Sequence, residues 1–144
     1  MSDLNTLNST LAGVYQISGK TNDVTHAAQA TALTLFTINA ESIKNTQDLF
    51  YEFASVFNFP EYFRQNWDAF YECLTDLTWM HFNGIVLLLK QSKHLYDTKS
   101  DDFKKVTQIL LLVAQHWQRQ NIPFFVFIHD YSNWNSDLPK SPPF

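Results

Sequence analysis

The chain has 144 residues, about one domain's worth, and a chain of this length buries roughly two-thirds of its unfolded surface without covalent staples. Ten Lys and Arg stand against fourteen Asp and Glu, a formal net charge of -4, which excludes a basic coat for nucleic acid. One cysteine, Cys73, excludes an internal disulfide framework and a cysteine-rich zinc site, while 13 Phe, 6 Tyr and 4 Trp beside only 3 Gly mark a packed domain.

Residues 1–11 are rich in Ser, Asn and Thr and are expected to fray. They hold no basic residue and no apolar run, so no secretory signal is expected. Residues 13–17 predict a short strand, and Asp23 is placed to cap a short helix to Ala30. Residues 31–38 are β-branched and aromatic and predict a strand. From Thr46 to Phe57, Leu49, Phe50, Phe53, Val56 and Phe57 recur at helical spacing, with Asn45 or Thr46 as the cap. Pro60 breaks that pattern, so residues 58–66 form a loop.

A second helix is predicted from Trp67 to Leu77, with Trp67, Phe70, Tyr71, Leu74 and Leu77 on one side. After Gly84, residues 85–89 are apolar without alternation, as in a strand buried on both faces. A short helix at residues 92–96 precedes a long one from Asp101 or Asp102 to about Gln120, with Val106, Ile109, Leu110, Val113 and Trp117 inward. Pro123 opens the last strand, residues 124–128, and the polar tail from Ser132 is expected to be loose. Strands alternating with helices predict an α/β domain with a mainly parallel sheet. The apolar stretches at 85–89 and 109–114 are too short to span a bilayer. With a lone cysteine, the expectation is a soluble cytoplasmic protein.

Charge is uneven. Residues 41–76 carry seven carboxylates against Lys44 and Arg64, whereas residues 77–144 hold seven cations against five acids. An acidic patch of this kind attracts a basic partner and speeds its association. Its centre is Asp68, Glu72 and Asp76, one row at i, i+4 and i+8 on the second predicted helix. A solvated acidic face is the plain reading of such a row. Tyr62, Phe63, Tyr71 and Trp79 nearby favour a binding surface, since aromatics rimmed by charge are the material of interface hot spots.

Phe59-Pro60-Glu61-Tyr62-Phe63, then Asn66-Trp67-Asp68-Ala69-Phe70, then Cys73-Leu74-Thr75, resembles the barstar family, intracellular inhibitors of a secreted bacterial ribonuclease. The resemblance implies a small, mainly parallel three-stranded sheet over residues 31–131, with an extra strand and helix in residues 1–30 and a loose tail at 132–144. It also implies that the loop and second helix plug the nuclease active site. Tyr62, Asn66, Asp68 and Thr75 match interface positions of that family, Glu72 replaces a central Asp, and Tyr71 stands where an aromatic is found. Phe63, Trp67 and Asp76 complete the implied partner-binding set. Phe63 would thicken the plug that Tyr62 forms over the catalytic base.

The implied partner is a basic protein, a secreted or toxin ribonuclease, bound without catalysis, cofactor, metal, direct nucleic-acid contact or membrane, in the manner of an immunity protein. The sequence also departs from the family. Arg64 brings a cation into the plug, Gln65 is neutral where an acid is common, and His116, Arg119 and Gln120 occupy a helix where acids are expected. These differences keep open a second reading, a binding module on the same fold for a partner that is not a ribonuclease.

Other chemistry finds little support. The five His show no metal-ligand spacing, and neither a phosphate loop nor a nucleophile elbow occurs. Asp68 with Glu72 has the makings of a general acid and base pair, the third reading, but no substrate cleft is visible in the sequence. Cys73 reads as a small buried residue, and His129-Asp130 lies where parallel strands end and sites collect.

Overall fold

A computed structural model describes residues 7–61 and 63–140. Four strands, β1 (Gly13–Ser18), β2 (Thr34–Asn39), β3 (Ile85–Lys90) and β4 (Phe124–Asp130), form one sheet in the order β1-β4-β3-β2. Every neighbouring pair is parallel. The helices are α1 (Asn22–Ala30), α2 (Thr46–Phe57), α3 (Trp67–Asp76), α4 (Lys93–Thr98) and α5 (Ser100–Gln118).

The strand order explains the layering. From β1 the chain crosses to the far edge at β2, then steps back through β3 to β4. Crossovers between parallel strands are right-handed, so opposite directions of travel put their helices on opposite faces. One face packs α2 to α5 against Ile85, Leu87, Leu89, Phe124, Val126 and Ile128. The other packs α1, through Val24, Ala27 and Ala28, over Val86, Leu88, Phe125 and Phe127. The central strands are therefore apolar at every position from 85 to 89 and from 124 to 128.

The predicted strand and helix at the N-terminus are thus full members of the fold. β1 is the fourth strand, in register with β4 from Gly13↔Phe125 to Ser18↔Asp130. Residues 9–11 form a single tight turn beside α5, whose Gln118 Nε2 donates to the Ser9 carbonyl at 2.7 Å, and Leu7 is buried. The expected fraying over residues 7–11 is not seen, and residues 1–6 lie outside the described residues.

Several boundaries differ from expectation. Asp23 lies in the first turn of α1, while Thr21 holds the cap position without a side-chain cap bond. The strand expected at residue 31 begins at Thr34. The Thr31 hydroxyl instead donates to the Ala27 carbonyl at 2.6 Å and Ala32 turns the chain at φ 58°. The long helix starts at Ser100 and ends at Gln118.

The tail expected to be loose from Ser132 is docked through residue 139. Gln16 accepts from the amide of Ser136 at 2.7 Å and donates to the Trp134 carbonyl, and its own amide donates to the Pro139 carbonyl at 2.7 Å. The Trp134 ring packs edge-on against Tyr96 and Phe103, at 5.8 and 6.1 Å. The tail closes the outer edge of β1, supplying partners for backbone groups that an edge strand leaves bare. Residues 141–144 lie outside the described residues.

Candidate functional site

α3 is built to stand proud and still. Asn66, in extended conformation, accepts through its side-chain oxygen from the amide of Ala69 at 2.8 Å, capping the helix. Phe70, Cys73 and Leu74 are buried beneath it. At its far end Leu77 adopts the left-handed conformation, φ 49°, with its side chain fully buried. That backbone costs about 1–2 kcal/mol, and burying a leucine stabilises by about 1.5–3 kcal/mol, so packing holds the turn. The indole of Trp117 on α5 donates to the Leu74 carbonyl at 2.9 Å, satisfying one of the carbonyls that a helix end leaves without an internal partner.

On the solvent side, α3 is a ridge between two hollows. The first, about 350 Å³, is lined by Phe63, Arg64, Ala69, Glu72, Cys73 and Asp76. The second, about 460 Å³, lies between α3 and α5 and is lined by Trp67, Asp68, Tyr71, Glu72, Lys105, Ile109 and Leu112. Glu72 is the residue common to both. Asp68 and Glu72 are exposed and Asp76 is half-buried. Among the described residues no salt bridge occupies these three carboxylates. Among the described residues the salt bridge formed is Lys93 with Asp97 at 2.7 Å, on another part of the surface.

The remaining sequence-predicted residues divide between site and scaffold. Trp67 and Tyr71 line the second hollow, with Trp67 also packed on Phe50 and Phe70 at 4.8 and 5.6 Å. Phe63 lines the first hollow with its ring edge-on to Phe50 and Phe59, so much of it belongs to the core. Asn66 spends its oxygen on the cap. The Thr75 hydroxyl donates to the Tyr71 carbonyl within the helix at 2.8 Å. Trp79 is turned toward the α2 end, donating to the Phe57 carbonyl at 2.9 Å. Tyr62 lies outside the described residues.

Cys73 opens on the first hollow but is buried, and burial, helped by Asp76 and Glu72, pushes its thiol pKa up. It is a weak nucleophile for that reason.

Sequence reasoning missed the α5 wall. Lys105, Ile109 and Leu112 close the second hollow, and Leu112 is 52% exposed. The available signal was a leucine at an outward position of an otherwise amphipathic helix. His116, beside them on α5, packs edge-on against Trp117 at 5.0 Å and lies 3.2 Å from Gln120.

Away from α3, His129 is fully buried at the end of β4. It takes the amide of Gln91 at 3.3 Å on Nδ1 and meets the Gly19 carbonyl at 2.7 Å through Nε2. It therefore ties the ends of β1, β3 and β4 together. No helix among the described residues is long and apolar enough to cross a membrane.

A family model described as Barstar (barnase inhibitor) matches residues 33–129. No match to a curated protein sequence was found. Among solved structures, the ORC2 protein of Aeropyrum pernix, in ADPNP-ADP complexes, is similar with a TM-score of 0.53 at 15% identity. The match covers 85% of this chain and 36% of that one, so this chain spans about a third of its length, and the likeness is one of fold.

Proposed function

The chain belongs to the Barstar (barnase inhibitor) family, and from that premise we propose that it is a stoichiometric inhibitor of a barnase-type ribonuclease, with α3 and the loop before it seated in the nuclease active site. The observation that carries this reading is the carboxylate row on a capped and buttressed helix, its Asp68 and Glu72 exposed and Glu72 between two hollows. A ribonuclease site is cationic because it holds phosphates. A rigid row of carboxylates answers the same cations with charge-assisted hydrogen bonds and excludes the substrate. Asp68 and Glu72 pair with Arg, Lys or protonated His of the nuclease. Trp67 and Tyr71 supply the apolar floor, and Tyr62, Asn66 and Thr75 complete the contact by family position. The protein acts inside the cell that makes the nuclease, as an immunity protein.

The complex buries about 1,600 Å² in total, the standard size for an inhibitor. Removing Glu72 or Asp68 weakens it by about 2–5 kcal/mol, mostly through faster dissociation, a range for which the barnase–barstar complex is itself the type case. The test is a titration of a barnase-type ribonuclease while RNA cleavage is followed. Inhibition should saturate at one to one and weaken at least about thirtyfold in Glu72→Ala. No inhibition by the intact protein defeats the reading.

Arg64 in the first hollow, Lys105 in the second and Arg119 beyond α5 favour one alternative, a partner that is not a ribonuclease. Capture of a non-nuclease protein that is lost in Glu72→Ala would move the assignment there.

A further inference from the structure

We propose that the α3–α5 face is also a homodimer surface, on which two copies meet about a two-fold axis with the acidic row of each on the basic stripe of the other. Lys105, Leu112 and Arg119 recur every seven residues, so they lie on one stripe of α5 and its C-terminal cap. The stripe is basic at both ends with a half-exposed leucine between. Beside it, Asp68, Glu72 and Asp76 form a row of one sign along α3. Among the described residues none of the five charged groups is engaged in a salt bridge, although Lys105 shares a hollow with Asp68 and Glu72.

The symmetry fits the charges. α3 and α5 run the same way, since Trp67 and Asp68 at the start of α3 line a hollow with Lys105 and Ile109 early in α5, while Trp117 near the end of α5 donates to Leu74 near the end of α3. A two-fold axis lying in the contact plane, along the helices, sets α3 of one copy on α5 of the other, the two pointing the same way. The stripe from Lys105 to Arg119 is about 21 Å long and the acidic row about 12 Å, at 1.5 Å per residue. Lys105 shares a level with Asp68 and Arg119 follows Trp117, which bonds Leu74 near Asp76, so the two cations face the two ends of the row, with Leu112 between them. Such a contact is isologous and closes at two copies.

Size sets its strength. Two helix widths by the length of α5 give a footprint on the order of 500 Å² per copy, at the low end for a specific interface. The dimer is therefore weak, reversible and dependent on concentration. It stands without the ribonuclease reading. Where that reading holds, the two uses of the acidic row exclude each other, and the dimer is a resting form that a tighter partner displaces.

Sedimentation equilibrium on the intact protein from about 1 µM to about 1 mM tests it without any nuclease. A monomer–dimer equilibrium that weakens several-fold from low salt to about 0.5 M salt is expected, as screening predicts. Two variants locate the surface, each checked by circular dichroism. One reverses the bases (Lys105→Glu with Arg119→Glu) and the other the acids (Asp68→Lys with Glu72→Lys). Each should be monomeric alone, and an equal mixture should recover dimer, because only the mixed pair brings opposite charges together on both halves of the contact. A wild-type chain that stays monomeric at all these concentrations overturns the proposal. So does a base-reversed chain that dimerises as well as the wild type, or a mixture that forms no dimer.

Discussion

His129 shows how one side chain sets a pH limit. Burial is the main reason that its pKa is lowered, reinforced by Lys90, while the Gly19 carbonyl and Asp130 pull the other way. A second proton on Nδ1 would confront the Gln91 amide that this nitrogen now accepts. The unfolded chain therefore binds a proton more readily than the folded one, and stability falls as pH drops below about 6.5. Urea midpoints measured at pH 7 and pH 5.5 should differ, and His129→Asn should narrow that difference while lowering both. Asp130 adds a later loss. Burial raises its pKa, but hydrogen bonds from Ser132 and Lys93 outweigh this and leave it lowered. Its stabilisation is present above about pH 4 and disappears as pH falls further. On α3, Asn66→Ala removes the helix cap and should cost about 1 kcal/mol in chemical denaturation. If the α3 ridge must be rigid to bind, that variant also weakens partner binding without touching a carboxylate.

Elements depend on a few close approaches. Gly84 precedes β3, where an added Cβ would lie 2.7 Å from Leu33 and 2.8 Å from the Pro123 carbonyl oxygen. The second contact is backbone and cannot swing aside, so Gly84→Ala should destabilise by about 1–3 kcal/mol, read from the urea midpoint. How much of each element was legible follows the range of the interactions that define it. The start of α2 was readable because Asn45 bonds an amide three residues on, while that of α3 was read from apolar spacing and its cap, Asn66, went unnamed. The start of β2 was not, because Thr31 looks like a strand residue and spends its hydroxyl on the end of α1. Docking of the tail was invisible, since Gln16 meets Ser136 across 120 residues of sequence. The acidic row of the candidate site was plain from i, i+4 spacing. Its opposite wall on α5 was not, because no local pattern says which helix will lie beside which.

At the scale of the whole molecule, α1 and β1 lie outside the stretch matched by the family model, yet one entire sheet face depends on them. Val86, Leu88, Phe125 and Phe127 on that face are each 2% exposed or less. At about 1.5–3 kcal/mol apiece, their burial is comparable to the whole net stability of a domain, about 5–15 kcal/mol. A chain lacking residues 1–32 should be aggregated or molten on expression, visible as dye binding and a lost cooperative transition. A soluble, cooperatively unfolding truncation would show that the family-matched stretch closes its own core.

The same placement of β1 has a consequence in time. Among the described strands β1 pairs with β4 alone, so the earliest of the four to be made has no strand partner until the fourth has been made. When β4 emerges, the sheet face of Val86, Leu88, Phe125 and Phe127 has still to be closed by α1, a helix translated before any of them. Of the four strands the one made earliest is paired latest, and the interval between the two is when this chain is most exposed to misassembly.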